Sequence, residues 1–174
     1  MELNEAAQML ANDHFSWRKE QWADLGCGSG TFTLALAGFL QPQSTIYAMD
    51  TDISALKQIP GNYNSVAIQK ITGDFNKQVL SFKNLDGILM ANSLHYVKDK
   101  YTFIREASDC LAEGGCFLLV EYDMEQANQW VPYPLSLASV TDLFHEAGFT
   151  LIRKLKERPS LFGRAKLYSV IIQR

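Results

Sequence analysis

The sequence predicts an α/β fold, a three-layer sandwich whose mostly parallel sheet carries helices on both faces. Three observations support this. A short apolar run at 21–25 meets a glycine-rich turn and then an apolar helical stretch at 31–40. β-Prone and helical runs then alternate as far as residue 147, the pattern of a parallel sheet with crossover helices. Two final β-prone runs, 150–155 and 167–172, have no helix between them and should pair antiparallel at one edge.

Bulk properties narrow the function classes. A chain of 174 residues suits one domain, 1–174, with 1–20 as an N-terminal helix and lead-in segment. That lead-in reads as too short for a separate substrate domain. Net charge is −3, against a broad nucleic-acid footprint. There is no apolar run of the length a membrane span needs. Met1 to Glu5 lack the basic-then-apolar layout of a signal peptide. Cys27, Cys110 and Cys116 are odd in number and unpatterned, so reduced thiols in cytoplasm are expected, with no disulfide framework and no metal site.

Each element has a local reason. Leu3, Ala6, Ala7, Leu10 and Ala11 recur at helical spacing. Residues 21–25 run straight into the glycines and read as the central first strand. The helix after them should stop near Pro42. Residues 44–49 read as strand two, ending at Asp50. Asp52 or Ser54 can cap a helix through Ile59, broken by Pro60, Gly61 and Asn62. Residues 66–71 form strand three, and 85–91, apolar after Gly87, suit a strand buried on both faces. Asp99 opens a helix with Phe103, Ile104, Ala107 and Leu111 on one side, stopped by Gly114 and Gly115. Residues 116–120 are strand five, followed by a polar and aromatic loop. A helix at 139–147 ends at Gly148. The last two strands are joined by a loop holding Pro159 and Gly163.

The turn after strand one is DLGCGSG, residues 24–30. A dinucleotide fingerprint would place its third glycine three residues after Gly28, where Thr31 stands. The stretch resembles instead the first motif of the class I S-adenosylmethionine (SAM)-dependent methyltransferases, and the resemblance extends from Trp22 to Arg174. It implies a seven-stranded sheet of order 3-2-1-4-5-7-6 with strand seven antiparallel, and SAM as cofactor.

The resemblance also implies roles. Asp24 matches the acid near the methionine amino group, and Gly26, Cys27, Gly28 and Gly30 would let the backbone wrap methionine and ribose. Asp50, a carboxylate 20 residues past Gly30, suits the two ribose hydroxyls on geometric grounds as well. Thr51 would lie at the adenine edge. Gly73, Asp74 and Phe75 resemble an adenine clamp, in which the carboxylate meets the exocyclic amine and the ring covers the base. Asn92 to Val97 resemble the segment beside the transferable methyl group.

His95 is the nearby side chain suited to proton transfer at neutral pH. A structural hydrogen bond to a loop carbonyl is the equal alternative. The Asn-Pro-Pro-Tyr and Pro-Cys signatures of base methylation do not occur in this segment. The segment resembles that of small-molecule methyltransferases, which implies methyl transfer to a small-molecule acceptor. The alternatives are a SAM-binding module with little catalysis and an enzyme with a macromolecular acceptor. Phe15, Trp17, Trp130 and Tyr133 are candidates for an acceptor pocket. Arg153, Lys154, Lys156, Arg158, Arg164 and Lys166 concentrate positive charge on the last hairpin, most simply as a solvated surface.

Overall fold

β1 (Gln21–Leu25) lies at the centre of the sheet, and its last four side chains are all buried. That is the burial of a strand covered on both faces. The computed structural model describes residues 1–159 and 165–174. β1 pairs in parallel with β2 (Thr45–Asp50) on one side and β5 (Leu85–Ala91) on the other. β4 (Val66–Thr72) extends the sheet beyond β2, and β6 (Leu111–Asp123) beyond β5, both in parallel. β8 (Lys166–Gln173) inserts antiparallel between β6 and the edge strand β7 (Leu151–Pro159).

These seven strands follow the expected order. One strand is additional: β3 (Asn62–Tyr63) folds antiparallel onto β4, so the full order is β3-β4-β2-β1-β5-β6-β8-β7. Asn64 and Ser65, with φ of 51° and 63°, form its tight turn. Two consecutive left-handed residues match the twist of a hairpin.

Helices cover the two faces. α1 (Leu3–Leu10) and α2 (Thr31–Ala37) pack on one side, where Ala6, Met9, Leu10, Phe32 and Leu36 meet Trp22, Leu89, Leu118 and Ile171. α4 (Lys100–Ser108) and α5 (Leu137–Glu146) cover the other, where Phe103, Ile104, Val140 and Phe144 meet Leu25, Met90, Phe117 and Tyr168. α3 (Ile53–Gln58) contributes Leu56 to a smaller cluster with Ala48, Ile59 and Ile68. The Trp22 indole donates to Glu20 Oε2 at 2.7 Å. Its ring lies across β5 at Gly87, where a Cβ would stand 2.3 Å from it.

Several boundaries differ from the sequence expectations. α2 stops at Ala37, with Gly38 as its cap, short of the proline. α5 begins at Leu137, with the Ser136 side chain accepting from the Ser139 N–H. Leu111 is not on the helix face. It opens β6 and pairs with Leu85. Gly114 and Gly115 therefore lie within a strand, at a register shift between Leu85 and Gly87. A Cβ at Gly115 would meet the Leu85 carbonyl at 2.8 Å, so the local crowding there calls for glycine. Pro159 ends β7 and does not lie in the loop. Gly163 and Arg164 fall outside the described residues.

The candidate aromatics separate. Phe15 stacks on Phe39 and packs against Trp22, in the α1–α2 layer. Trp17 and Trp130 are exposed. The basic side chains of the last hairpin are largely matched by acids: Arg153 with Asp13, Arg158 with Glu5, and Lys154 and Lys166 with Glu157.

Candidate active site

The C-terminal ends of β1, β2, β4 and β5 converge on a cleft of about 840 Å³. In open α/β sheets this edge is where ligands bind.

The turn after β1 needs its glycines. Gly26 has φ of 80°, and a Cβ there would stand 2.6 Å from Ser93 Cβ and 3.2 Å from the Phe75 ring. Gly28 has φ of 52°, and a Cβ there would meet open space. The first is glycine because the protein is tight there; the second leaves room for something else. The Gly26 and Cys27 N–H groups both donate to the Met49 carbonyl, at 2.8 and 3.1 Å, so the turn is anchored to β2.

Asp50 completes that anchor. Its Oδ2 accepts from the Gly28 N–H at 2.8 Å and its Oδ1 from the Asp52 N–H at 2.9 Å. Asp52 itself caps α3, accepting from the Ser54 and Ala55 N–H groups. Capping and strand-end duties thus fall on different carboxylates.

Asp24 is fully buried on the α2 side of β1. Its Oδ2 accepts from the Thr33 hydroxyl at 2.6 Å, while its Oδ1 has no partner among the described residues. Burial pushes its pKa up to about 7, helped by the charge of Asp50 and opposed by the Thr33 hydrogen bond.

Asp74, at the end of β4, accepts from the Asn76 N–H and pairs with Lys77 at 2.9 Å. The Lys77 ammonium holds its carboxyl below the usual range. Phe75 is nearly buried and packs against Phe103 at 5.8 Å. Asn92, with φ of 55°, donates its N–H to the Val120 carbonyl. Its side-chain Oδ1 is buried without a partner among the described residues. The Ser93 hydroxyl donates to the Leu25 carbonyl at 2.6 Å and ties the end of β5 to β1.

Gly26, Asp50, Thr51, Asp74, Phe75 and Asn92 line the cleft. Asp24, Cys27 and Gly30 are buried and do not, and Gly28 shapes the turn between them. Burial raises the Cys27 thiol far out of the reactive range.

His95 does not line the cleft. It is 2% exposed, and its Nδ1 lies 2.7 Å from Glu121 Oε2. Its neighbours Ser93, Tyr96 and Val97 form the wall instead, together with Tyr133. The expectation of a proton-transfer histidine thus meets a ring turned into the protein. The ring's partner is a carboxylate of β6, where the structural alternative has a loop carbonyl.

Sequence reasoning missed Thr33, Ser93 and Glu121. Glu121 carried a readable signal: a carboxylate directly after five apolar residues of a central strand needs a buried partner. The Thr33 and Ser93 hydroxyls carried none.

Two features fit an amino-acid-bearing cofactor. Acceptor oxygens without partners, on Asp24 and Asn92, flank the glycine turn. Gly28 leaves open space where a side chain would stand. Such orphaned acceptors are uncommon without a ligand or water to satisfy them.

The glycine turn, the strand-end carboxylates and the sheet order together define a Rossmann-like, class I methyltransferase. Residues 23–119 match the family model described as "Methyltransferase domain", and the chain belongs to that family. It is a SAM-dependent methyltransferase. No curated protein sequence matches it. Solved structures share the fold. One is a SAM-dependent methyltransferase from Leishmania major, 17% identical with a TM-score of 0.72, the match covering 97% of this chain and 71% of that one. Another is a SAM-dependent methyltransferase from Aquifex aeolicus, 16% identical with a TM-score of 0.65, covering 100% of both. A third is an arsenic(III) S-adenosylmethionine methyltransferase from Chlamydomonas reinhardtii, 16% identical with a TM-score of 0.67, covering 98% of this chain and 68% of that one. Among the described residues, no helix is long and apolar enough to cross a membrane.

Proposed function

We propose that this chain, acting as one domain in the cytoplasm, transfers the methyl group of SAM to a small-molecule acceptor. The observation that carries the reading is the row of groups along one cleft: Asp50 at the end of β2, Asp74 at the end of β4 and Asn92 at the end of β5, around the glycine turn of β1.

In this reading Asp50 accepts from the ribose hydroxyls, with Thr51 beside the adenine. Asp74 accepts from the adenine amine, exchanging part of its contact with Lys77, and Phe75 covers the base. Gly26, Cys27, Gly28 and Gly30 keep the backbone close to ribose and methionine. The unpartnered oxygen of Asn92 takes the amino-acid end, and Asp24, buried behind the turn, reaches it through water. SAM supplies a sulfonium-bound methyl group open to in-line displacement by a nucleophile. The chain's own contribution is then chiefly alignment, which is worth several kcal/mol of a barrier, about 7–11 at the upper end.

The acceptor would occupy the rest of the cleft, between Tyr96, Val97, Thr102 and Tyr133. A cleft of about 840 Å³ is within the range of small-molecule sites. That a structural neighbour acts on arsenic(III) is in keeping with a small acceptor.

Calorimetry with SAM and with S-adenosylhomocysteine tests the cofactor arrangement, and a product-release assay over a broad acceptor panel tests the chemistry. Binding of both and turnover with a small molecule are expected. Turnover with a protein or RNA alone would replace the acceptor assignment. Binding without any turnover would favour a non-catalytic module.

A further inference from the structure

We propose that the buried His95–Glu121 pair is a positioning device that ties the acceptor-side wall of the cleft to the sheet; the word "acceptor" here rests on the methyl-transfer reading above. Glu121 sits near the C-terminal end of β6 and is 1% exposed. Its Oε1 accepts from the His95 backbone N–H at 3.2 Å, and its Oε2 lies 2.7 Å from the ring Nδ1. Both carboxylate oxygens are thus engaged by one residue of the short 3-10 turn Leu94–Tyr96. A buried carboxylate is costly to unpair, so this joint resists opening.

The tie continues outward. The His95 carbonyl accepts from the Tyr133 N–H at 3.1 Å. Lys100 Nζ donates to the Val97 carbonyl at 2.7 Å and stands 5.3 Å from the centre of the Tyr133 ring. The Tyr96 ring lies 4.4 Å from the His95 ring. Tyr96 and Tyr133 both line the cleft, 50% and 39% exposed. The loop that carries Tyr133 is also held at Leu135, whose carbonyl accepts from the Tyr168 hydroxyl at 3.2 Å, and within itself by Asn128 Oδ1, which accepts from the Trp130 and Val131 N–H groups. One chain of contacts therefore runs from the β6 carboxylate to two half-exposed rings. A general base must reach the acceptor atom; His95, set behind this wall, holds it in place instead.

Amide exchange and calorimetry on the full chain, with wild type, His95→Ala, His95→Asn and Glu121→Gln, test this. Asparagine places an amide close to the position of Nδ1 and keeps the bond to Glu121. In His95→Ala the Tyr133 amide should exchange at least about tenfold faster while amides of β1 and β5 keep their rates. S-adenosylhomocysteine affinity should stay within about twofold. His95→Asn should restore the Tyr133 rate. Should His95→Ala fail to fold, Glu121→Gln carries the same comparison with the side-chain shape preserved. With the acceptor found in the turnover panel, His95→Ala should raise KM about fivefold or more, leave kcat within about twofold and leave the pH profile unmoved.

Several results overturn the proposal. One is a fall in kcat of about a hundredfold with a lost ionisation in the pH profile, which would assign proton transfer to His95. Faster exchange of all amides together, or an unchanged Tyr133 rate, also overturns it. If the wild type binds no S-adenosylhomocysteine, the cofactor reading fails, and the amide measurement still judges the tie.

Discussion

The Gly28 N–H donates to Asp50 Oδ2 at 2.8 Å, which fastens the turn of β1 to the end of β2. In the proposed reading, the carboxylate offered to the ribose would also be the group that shapes the turn beside it. Cofactor binding and turn geometry would then share one side chain.

Asp50→Asn should consequently weaken S-adenosylhomocysteine binding more than it weakens the fold. Losing the charged acceptor costs about 1.5–3 kcal/mol of binding, about ten- to a hundredfold in Kd. Calorimetry and thermal melting on the same samples check this. Equal loss in both would place Asp50 in the turn alone.

Gly26→Ala and Gly28→Ala should separate folding from binding. Both residues have positive φ, which costs a substituted side chain about 1–2 kcal/mol. At Gly26 the new Cβ also collides with Ser93, adding about 1–3 kcal/mol of overpacking. At Gly28 it meets no protein atom within 4 Å. Denaturant unfolding should therefore show the larger loss for Gly26→Ala. Gly28→Ala should stay folded with S-adenosylhomocysteine affinity reduced about tenfold or more.

Asp24 should give stability an inverted pH dependence. Its folded pKa of about 7 lies above the unfolded value, so the folded state holds the proton more tightly between them. Its contribution is fully present below about pH 4 and is lost as pH rises towards 7. Asp24→Asn should therefore be more stable than wild type at pH 8, by a few kcal/mol at most, and the difference should vanish near pH 4. Urea unfolding at both pH values measures it. If the cofactor's ammonium binds the ionised form, wild-type affinity should rise with pH up to about 7 and then level, and Asp24→Asn should abolish that slope.

Gly87→Ala should be severely destabilising although Gly87 does not line the cleft. The added Cβ would stand 2.3 Å from the Trp22 ring, which is fully buried between β5 and the α1–α2 layer. A cost of about 3 kcal/mol is expected at a buried aromatic contact with no room to relax. Loss of soluble expression or a melting temperature lowered by several degrees would show it.

Much of the fold was legible because its signals are local. Apolar runs with period 2 or 3.6, capping aspartates at Asp52 and Asp99, and glycines after β1 and α5 each act within a few residues. The exceptions were also local in cause. β3 exists because Asn64 and Ser65 both take left-handed backbone, and Gly114 and Gly115 serve a register shift that looks in sequence like a helix stop.

By itself, the sequence determined the strand–turn–helix unit, the spacing that sets Asp50 and Asp74 at strand ends, and through them the methyltransferase class. Tertiary structure alone decided which side chains face the cleft. His95 and Glu121 stand 26 positions apart and meet only because the end of β6 lies beside the turn after β5. Asp24 and Thr33 meet because β1 and α2 pack face to face, leaving one carboxylate oxygen bonded and the other without a partner among the described residues. Periodicity and turn chemistry are written along the chain. Partnership and burial between distant side chains arise only when strands from different places are brought side by side.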